Sequence, residues 1–186
     1  MHELGHNFAL AHSNDYKFPY STAANPIYDD QTGMVSKVEF ESKLSWRRNL
    51  IIACLGQMGY SYRSYDYPRM CFNPAKSWQL GWYSNKAITY YPTCTTVTYQ
   101  VGGIIDYSVS SVPNVLVKLE QASSFDFYLT YNARASFNSD TQEGGNQVVI
   151  VLQGREGAGY SSSRLEAKLS PGARYVIQNF NNKRPL

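Results

Sequence analysis

Three histidines are the whole complement of this chain, and all of them fall in its first twelve residues, as His2, His6 and His12. The string is HELGHNFALAH, with Glu3 beside the first histidine. On a helix, residues four apart share a face, so His2 and His6 can both present an imidazole nitrogen to one ion. Glu3 sits about 100° further round the same helix. From there it can reach a water on that ion without ligating, as a general base must. His12 lies ten positions beyond His2, which is about 280° of helical rotation, so an unbroken helix would carry it off the ligand face. The chain must therefore stop being helical between His6 and His12 and turn back, and a left-handed turn made by any residue but glycine costs on the order of 1 kcal/mol.

Three imidazoles leave a fourth position open on a tetrahedral zinc, which is the arrangement of a catalytic rather than a structural site. Neutral ligands also keep the ion's charge, which lowers the pKa of a bound water towards neutrality. Average residue usage would produce these four fixed positions in roughly one chain of this length in 10⁴. The pattern thus predicts one catalytic Zn2+ held by His2, His6 and His12, with Glu3 as the base. Two plainer readings compete with it: a surface helix with incidental histidines, and a zinc site without catalysis. Glu3 argues against the second, because metal binding alone does not need it.

The bulk properties narrow the partners. Hydrophobic residues make up 43% and charged residues 17% of the 186-residue chain, the balance of a globular protein. Seventeen Lys and Arg against fourteen Asp and Glu give +3, dispersed without a basic stripe, so no nucleic-acid partner is expected. The best apolar run, residues 50–55, is far too short to span a bilayer, and no membrane partner is expected. The three cysteines, Cys54, Cys71 and Cys94, show no CxxC or CxxH spacing, which argues against a cysteine-based zinc site. Cys71 with Cys94 is the candidate disulfide, a bond that a secreted setting would favour. Sixteen tyrosines suit strand-rich structure or an aromatic binding surface.

Along the chain, residues 1 to about 33 read as helix and then polar loop. Residues 34–57 break in composition from both flanks, lacking Tyr and Pro. Residues 58–94 are Tyr-rich and turn-rich. From 95 onward, β-branched or aromatic runs at 96–101, 115–119, 125–131, 148–152 and 175–177 are separated by Gly, Ser, Asn and Pro. Their spacing suggests a sandwich-like β module.

The strings HELGHNFALAHSN, YDDQTG, MGYSY and PRMCFNPAKSWQLGWYS together resemble the gametolysin-type (M11) zinc metallopeptidases of the metzincin group. FYLTYNARASFNSDTQEGGNQVVIV is similar to the region that follows that family's catalytic core. The resemblance covers nearly all of the chain except 34–57. It implies a secreted zinc endopeptidase, extracellular or in the cell wall, that hydrolyses matrix or wall glycoproteins. It assigns zinc ligation to His2, His6 and His12 and the base role to Glu3, and it puts the reversal between the histidines, which a glycine makes in metzincins, at Ala9. It also implies a methionine turn beneath the metal, for which Met58 and Met34 compete. Met58 is favoured because removing 35–57, which reads as a retained intron or a lineage-specific loop, joins two strings that run together in the family. Tyr60 falls where some metzincins place a tyrosine near the metal.

The fold expected is therefore α+β. Residues 1–94 form the lower metzincin subdomain with an atypical insertion at 34–57, and residues 95–186 form the β-rich module. The strands that precede the zinc helix in metzincins are missing from this sequence, so the chain reads as a fragment. The rival function is an inactive zinc-binding fragment or pseudo-peptidase whose β module binds wall glycoprotein or glycan.

Overall fold

In a computed structural model of the chain, seven residues rich in aromatics, FDFYLTY, form the strand around which the fold is arranged. The structure describes residues 6–15, 70–92, 96–141, 143–154, 162–178, 180–181 and 186. Six strands are present among them: β1 (Ser13–Asp15), β2 (Ala87–Tyr90), β3 (Leu116–Leu119), β4 (Phe125–Tyr131), β5 (Val148–Gly154) and β6 (Ser163–Leu169). They make one sheet in the order β1-β6-β5-β4-β3-β2. The four inner strands run as an antiparallel meander, β3 to β6. The two edges differ: β2 lies parallel to β3 and β1 lies parallel to β6.

One helix, α1 (Pro74–Leu80), packs across β4 and β5. Its ends are specified locally. Asn73 takes extended backbone and its Oδ1 accepts the Lys76 N–H at 3.0 Å, capping the first turn. Pro74 follows at the first helical position, where a missing N–H costs nothing. Gly81 ends the helix in the left-handed region at φ 68°, with its N–H donated to the Trp78 carbonyl.

Strand alternation divides the core between the two faces of the sheet. Tyr128, Val149, Val151 and Leu165 pack with Ala75 and Trp78 of α1. On the opposite face Phe127, Ile150 and Ala167 pack with Ile177 and Phe180. A bulge in β6 makes the division work. Ile150 pairs with Ala167 but Val151 pairs with Leu165, so Glu166 is the extra residue and the alternation reverses across it. Leu165 therefore faces α1, while Ala167 joins the core on the far side.

The mixed α+β class is as expected, but the β region is not a sandwich. The described strands form a single sheet, and its second layer is α1 on one face and the 175–180 segment on the other. The run at 96–101 forms no strand. The edge beside β3 is taken by β2 instead, and Tyr99 packs edge-on against Tyr90 at 5.7 Å. The run at 175–177 is not a strand of the sheet either, and Ile177 exchanges both backbone hydrogen bonds with Leu186. Residues on both sides of position 94 share the sheet, since β1 and β2 supply its edges. No helix among the described residues is long and apolar enough to cross a membrane.

Candidate metal centre

The segment from His6 to Asp15 contains one sharp reversal, and it falls at Ala9. Helical structure ends at His6 and Asn7, and the Ala9 N–H closes a last tight turn onto the His6 carbonyl at 2.9 Å. Ala9 itself adopts φ 58°, the left-handed region that a side chain disfavours. From there the chain leads through Leu10 and Ala11 to His12 and enters β1.

The reversal brings His12 back against His6, with ring centroids 5.0 Å apart and planes inclined at 72°. Zinc–nitrogen bonds of about 2.0–2.1 Å at a tetrahedral angle put the centroids of two ligating imidazoles about 5 Å apart. The separation of the two rings matches that figure. The His6 Nδ1 lies 2.9 Å from the Leu10 carbonyl oxygen, which can only accept, so Nδ1 is the donor of that bond and the ring orientation is fixed by it. His12 is half-buried with its Nε2 shielded from solvent, and its carbonyl accepts the Ser163 N–H at 3.0 Å.

Contacts from residues 72–82 hold this turn along its length. Phe8 meets the ring of Trp82 edge-on at 6.3 Å. The Ala9 carbonyl accepts a hydrogen bond from Gln79 Nε2 at 2.8 Å, and Gln79 Oε1 in turn accepts one from Gln153 Nε2 at 2.7 Å. Leu10, fully buried, packs with Phe72 and Leu80. Beyond His12, Ser13 joins a buried hydroxyl–amide cluster. Asn73 Nδ2 donates to Ser13 Oγ at 2.8 Å and to Ser163 Oγ at 3.1 Å, and the two serine hydroxyls are 2.8 Å apart. The residue that caps α1 thus also pins β1 to β6.

His6 and His12 are the predicted site residues that the structure brings together. His2, Glu3, Met58, Tyr60 and the alternative Met34 lie outside the described residues. Among the described residues no group of three His, Cys, Asp or Glu side chains could hold a metal. Of the candidate Cys71–Cys94 disulfide, Cys94 lies outside the described residues; Cys71 is buried with Ile104, Val115 and Leu116.

Sequence reasoning missed Gln79, Gln153, Asn73 and Ser163. Asn73-Pro74 with Gly81 is a readable helix signature, whereas nothing in a single sequence links Gln79 to a carbonyl 70 residues earlier.

Two further features lie against α1. Lys118 bridges Glu120 and Asp126, each at 3.3 Å, and lies 5.7 Å over the ring of Trp78. Burial alone would lower the Lys118 pKa, but the Asp126 and Glu120 carboxylates outweigh it and hold the pKa above the ordinary lysine value. A groove of about 550 Å³ opens between α1 and β2, with Trp78, Tyr83, Ser77, Thr89 and Leu116 among its walls.

Comparison with protein-family models, with curated proteins and with solved structures gives no match.

Proposed function

We propose that this chain carries the zinc-binding segment of a metzincin-type endopeptidase of the gametolysin kind, acting on extracellular or cell-wall glycoproteins. The observation that carries the reading is the left-handed Ala9, which returns His12 to within 5.0 Å of His6. A solvent-facing helix with incidental histidines has no reason to adopt a strained backbone at the position where a third ligand needs the chain to reverse. The hydrogen bond from His6 Nδ1 to the Leu10 carbonyl, which orients the ring, supports the same reading.

In this proposal His2, His6 and His12 hold one zinc ion. When bound, the zinc would supply Lewis acidity for the attack of water on a peptide carbonyl. Glu3 accepts the proton of that water and passes it to the departing amine.

The test is metal analysis of the full chain after dialysis against zinc. One bound zinc is expected, lost in His6→Ala and in His12→Ala. Equal zinc in wild type and His6→Ala would remove the ligand assignment. Glu3→Gln should keep the metal and lose peptide hydrolysis by about 10²–10⁴-fold.

A second reading, glycan binding by a proteolytically inactive chain, rests on the groove beside α1. Aromatic walls with hydroxyl groups between them, and no charged side chain among the described residues of the lining, suit a neutral polyhydroxylated ligand. Retention on wall polysaccharide that Trp78→Ala and Thr89→Val abolish, in a chain that leaves peptides intact, would favour this reading.

A further inference from the structure

We infer that Gln79 is a positioning residue for the His6–His12 pair, and that the sheet sets the metal site through it. This inference rests on the zinc reading for its consequence, but its geometry stands independently. Ala9 is the one residue between the two histidines with positive φ, and its carbonyl is the acceptor that Gln79 Nε2 occupies at 2.8 Å. Rotating Ala9 back towards helical backbone would reorient that carbonyl and break the bond, so the amide selects the left-handed state. Gln79 does not choose its own orientation freely. Its Oε1 is held by Gln153 Nε2 at 2.7 Å, and Gln153 is a buried residue of β5. Because the Gln79 oxygen is taken by a donor, its nitrogen must point at Ala9.

The chain of contacts therefore runs from the middle of the sheet, through the last turn of α1, to the backbone that decides where His12 stands. Removing it should leave both histidines in the sequence but relax the turn that pairs them. Partners that orient a metal ligand without touching the metal typically change affinity by about 10–100-fold when lost.

Gln79→Glu separates the two halves of the contact. A carboxylate still accepts from Gln153 Nε2 but cannot donate to the Ala9 carbonyl, and it repels it. Two readouts on the full chain decide the matter. The first is the ¹⁵N signature of the His6 ring in the metal-free protein, which reports whether Nδ1 keeps its proton against the Leu10 carbonyl. The second is zinc affinity, with the visible spectrum of the cobalt-loaded protein as a check on ligand geometry. Gln79→Glu should shift the His6 ring towards a mixture of tautomers and weaken zinc about 10-fold or more. Adding Ala9→Gly should restore most of both, because glycine holds the turn without a side-chain penalty. A merely structural role would lower thermal stability without moving the His6 signature and without rescue by glycine. An unchanged His6 signature, with zinc affinity within about twofold of wild type, would overturn the inference. If wild type binds no zinc while Gln79→Glu still shifts His6, the positioning role stands and the zinc reading is what fails.

Discussion

The side-chain amide of Asn73 donates to Ser163 Oγ at 3.1 Å while its carbonyl oxygen caps α1 on the Lys76 N–H at 3.0 Å. One buried side chain thus starts the helix and fastens the sheet edge that follows His12. Asn73→Ala should cost about 2–3 kcal/mol, combining a lost cap with unmet hydroxyl partners. Asn73→Asp keeps an acceptor for the cap and loses only the donor, so it should unfold between the other two proteins in a urea titration. Equal midpoints for Asp and Ala variants would show that the cap contributes nothing.

Ala9→Gly should stabilise the chain by about 0.5–1 kcal/mol, since φ 58° carries a penalty in alanine that glycine avoids. Ala9→Val should do the reverse and by more, because a β-branched side chain tolerates that backbone least. Thermal midpoints of the three proteins check the order; a less stable glycine variant would refute the assignment of strain.

Breaking the buried pair at Lys118 should be costly. Asp126 is fully buried, and Asp126→Ala leaves the Lys118 ammonium with Glu120 alone, a loss of about 3 kcal/mol. The pH dependence has a definite sign. The folded pKa of Lys118 lies above 10.5, so its contribution is complete below 10.5 and disappears as pH rises through the folded value. The difference in unfolding free energy between wild type and Lys118→Met should therefore shrink above pH 10.5 and stay level from neutral pH to that point. A difference that grows with alkalinity would contradict the pairing.

Gly103 is closed to any side chain. A Cβ there would lie 2.8 Å from the Ala133 Cβ and 3.1 Å from the Tyr131 carbonyl oxygen, both fixed by the bridge between Gly103 and Tyr131. Gly103→Ala should cost about 1–3 kcal/mol through displaced backbone. Gly81→Ala meets no neighbour within 4 Å and tests backbone conformation alone, with an expected cost of about 1 kcal/mol. Denaturant midpoints distinguish the two.

The parts of this fold that were legible in the sequence are those whose local chemistry agrees with their final state. FDFYLTY and VVIVLQG are strand-forming runs and became β4 and β5. The reversal at Ala9 was legible for a different reason: the His6-to-His12 spacing demands one. SRLEAKL was not legible as β6, because Arg, Leu, Glu, Ala and Lys favour helix, and only pairing with β5 makes it a strand. Nor were the contacts that seat the turn, since Gln79 and Ser163 come from distant positions and resemble ordinary surface residues until the sheet assembles.

The pairing of β1 with β6 joins Ser13 to a residue 150 positions later, and this sets an order of events. Bringing such distant segments together costs about 4 kcal/mol in loop closure before any contact is gained. A chain emerging from the ribosome has His6 and His12 in hand long before Ser163, yet lacks their anchor until that residue has been made. The turn at Ala9 is therefore among the last elements to become fixed during synthesis, and nascent chains released short of β6 carry both histidines without the geometry that pairs them.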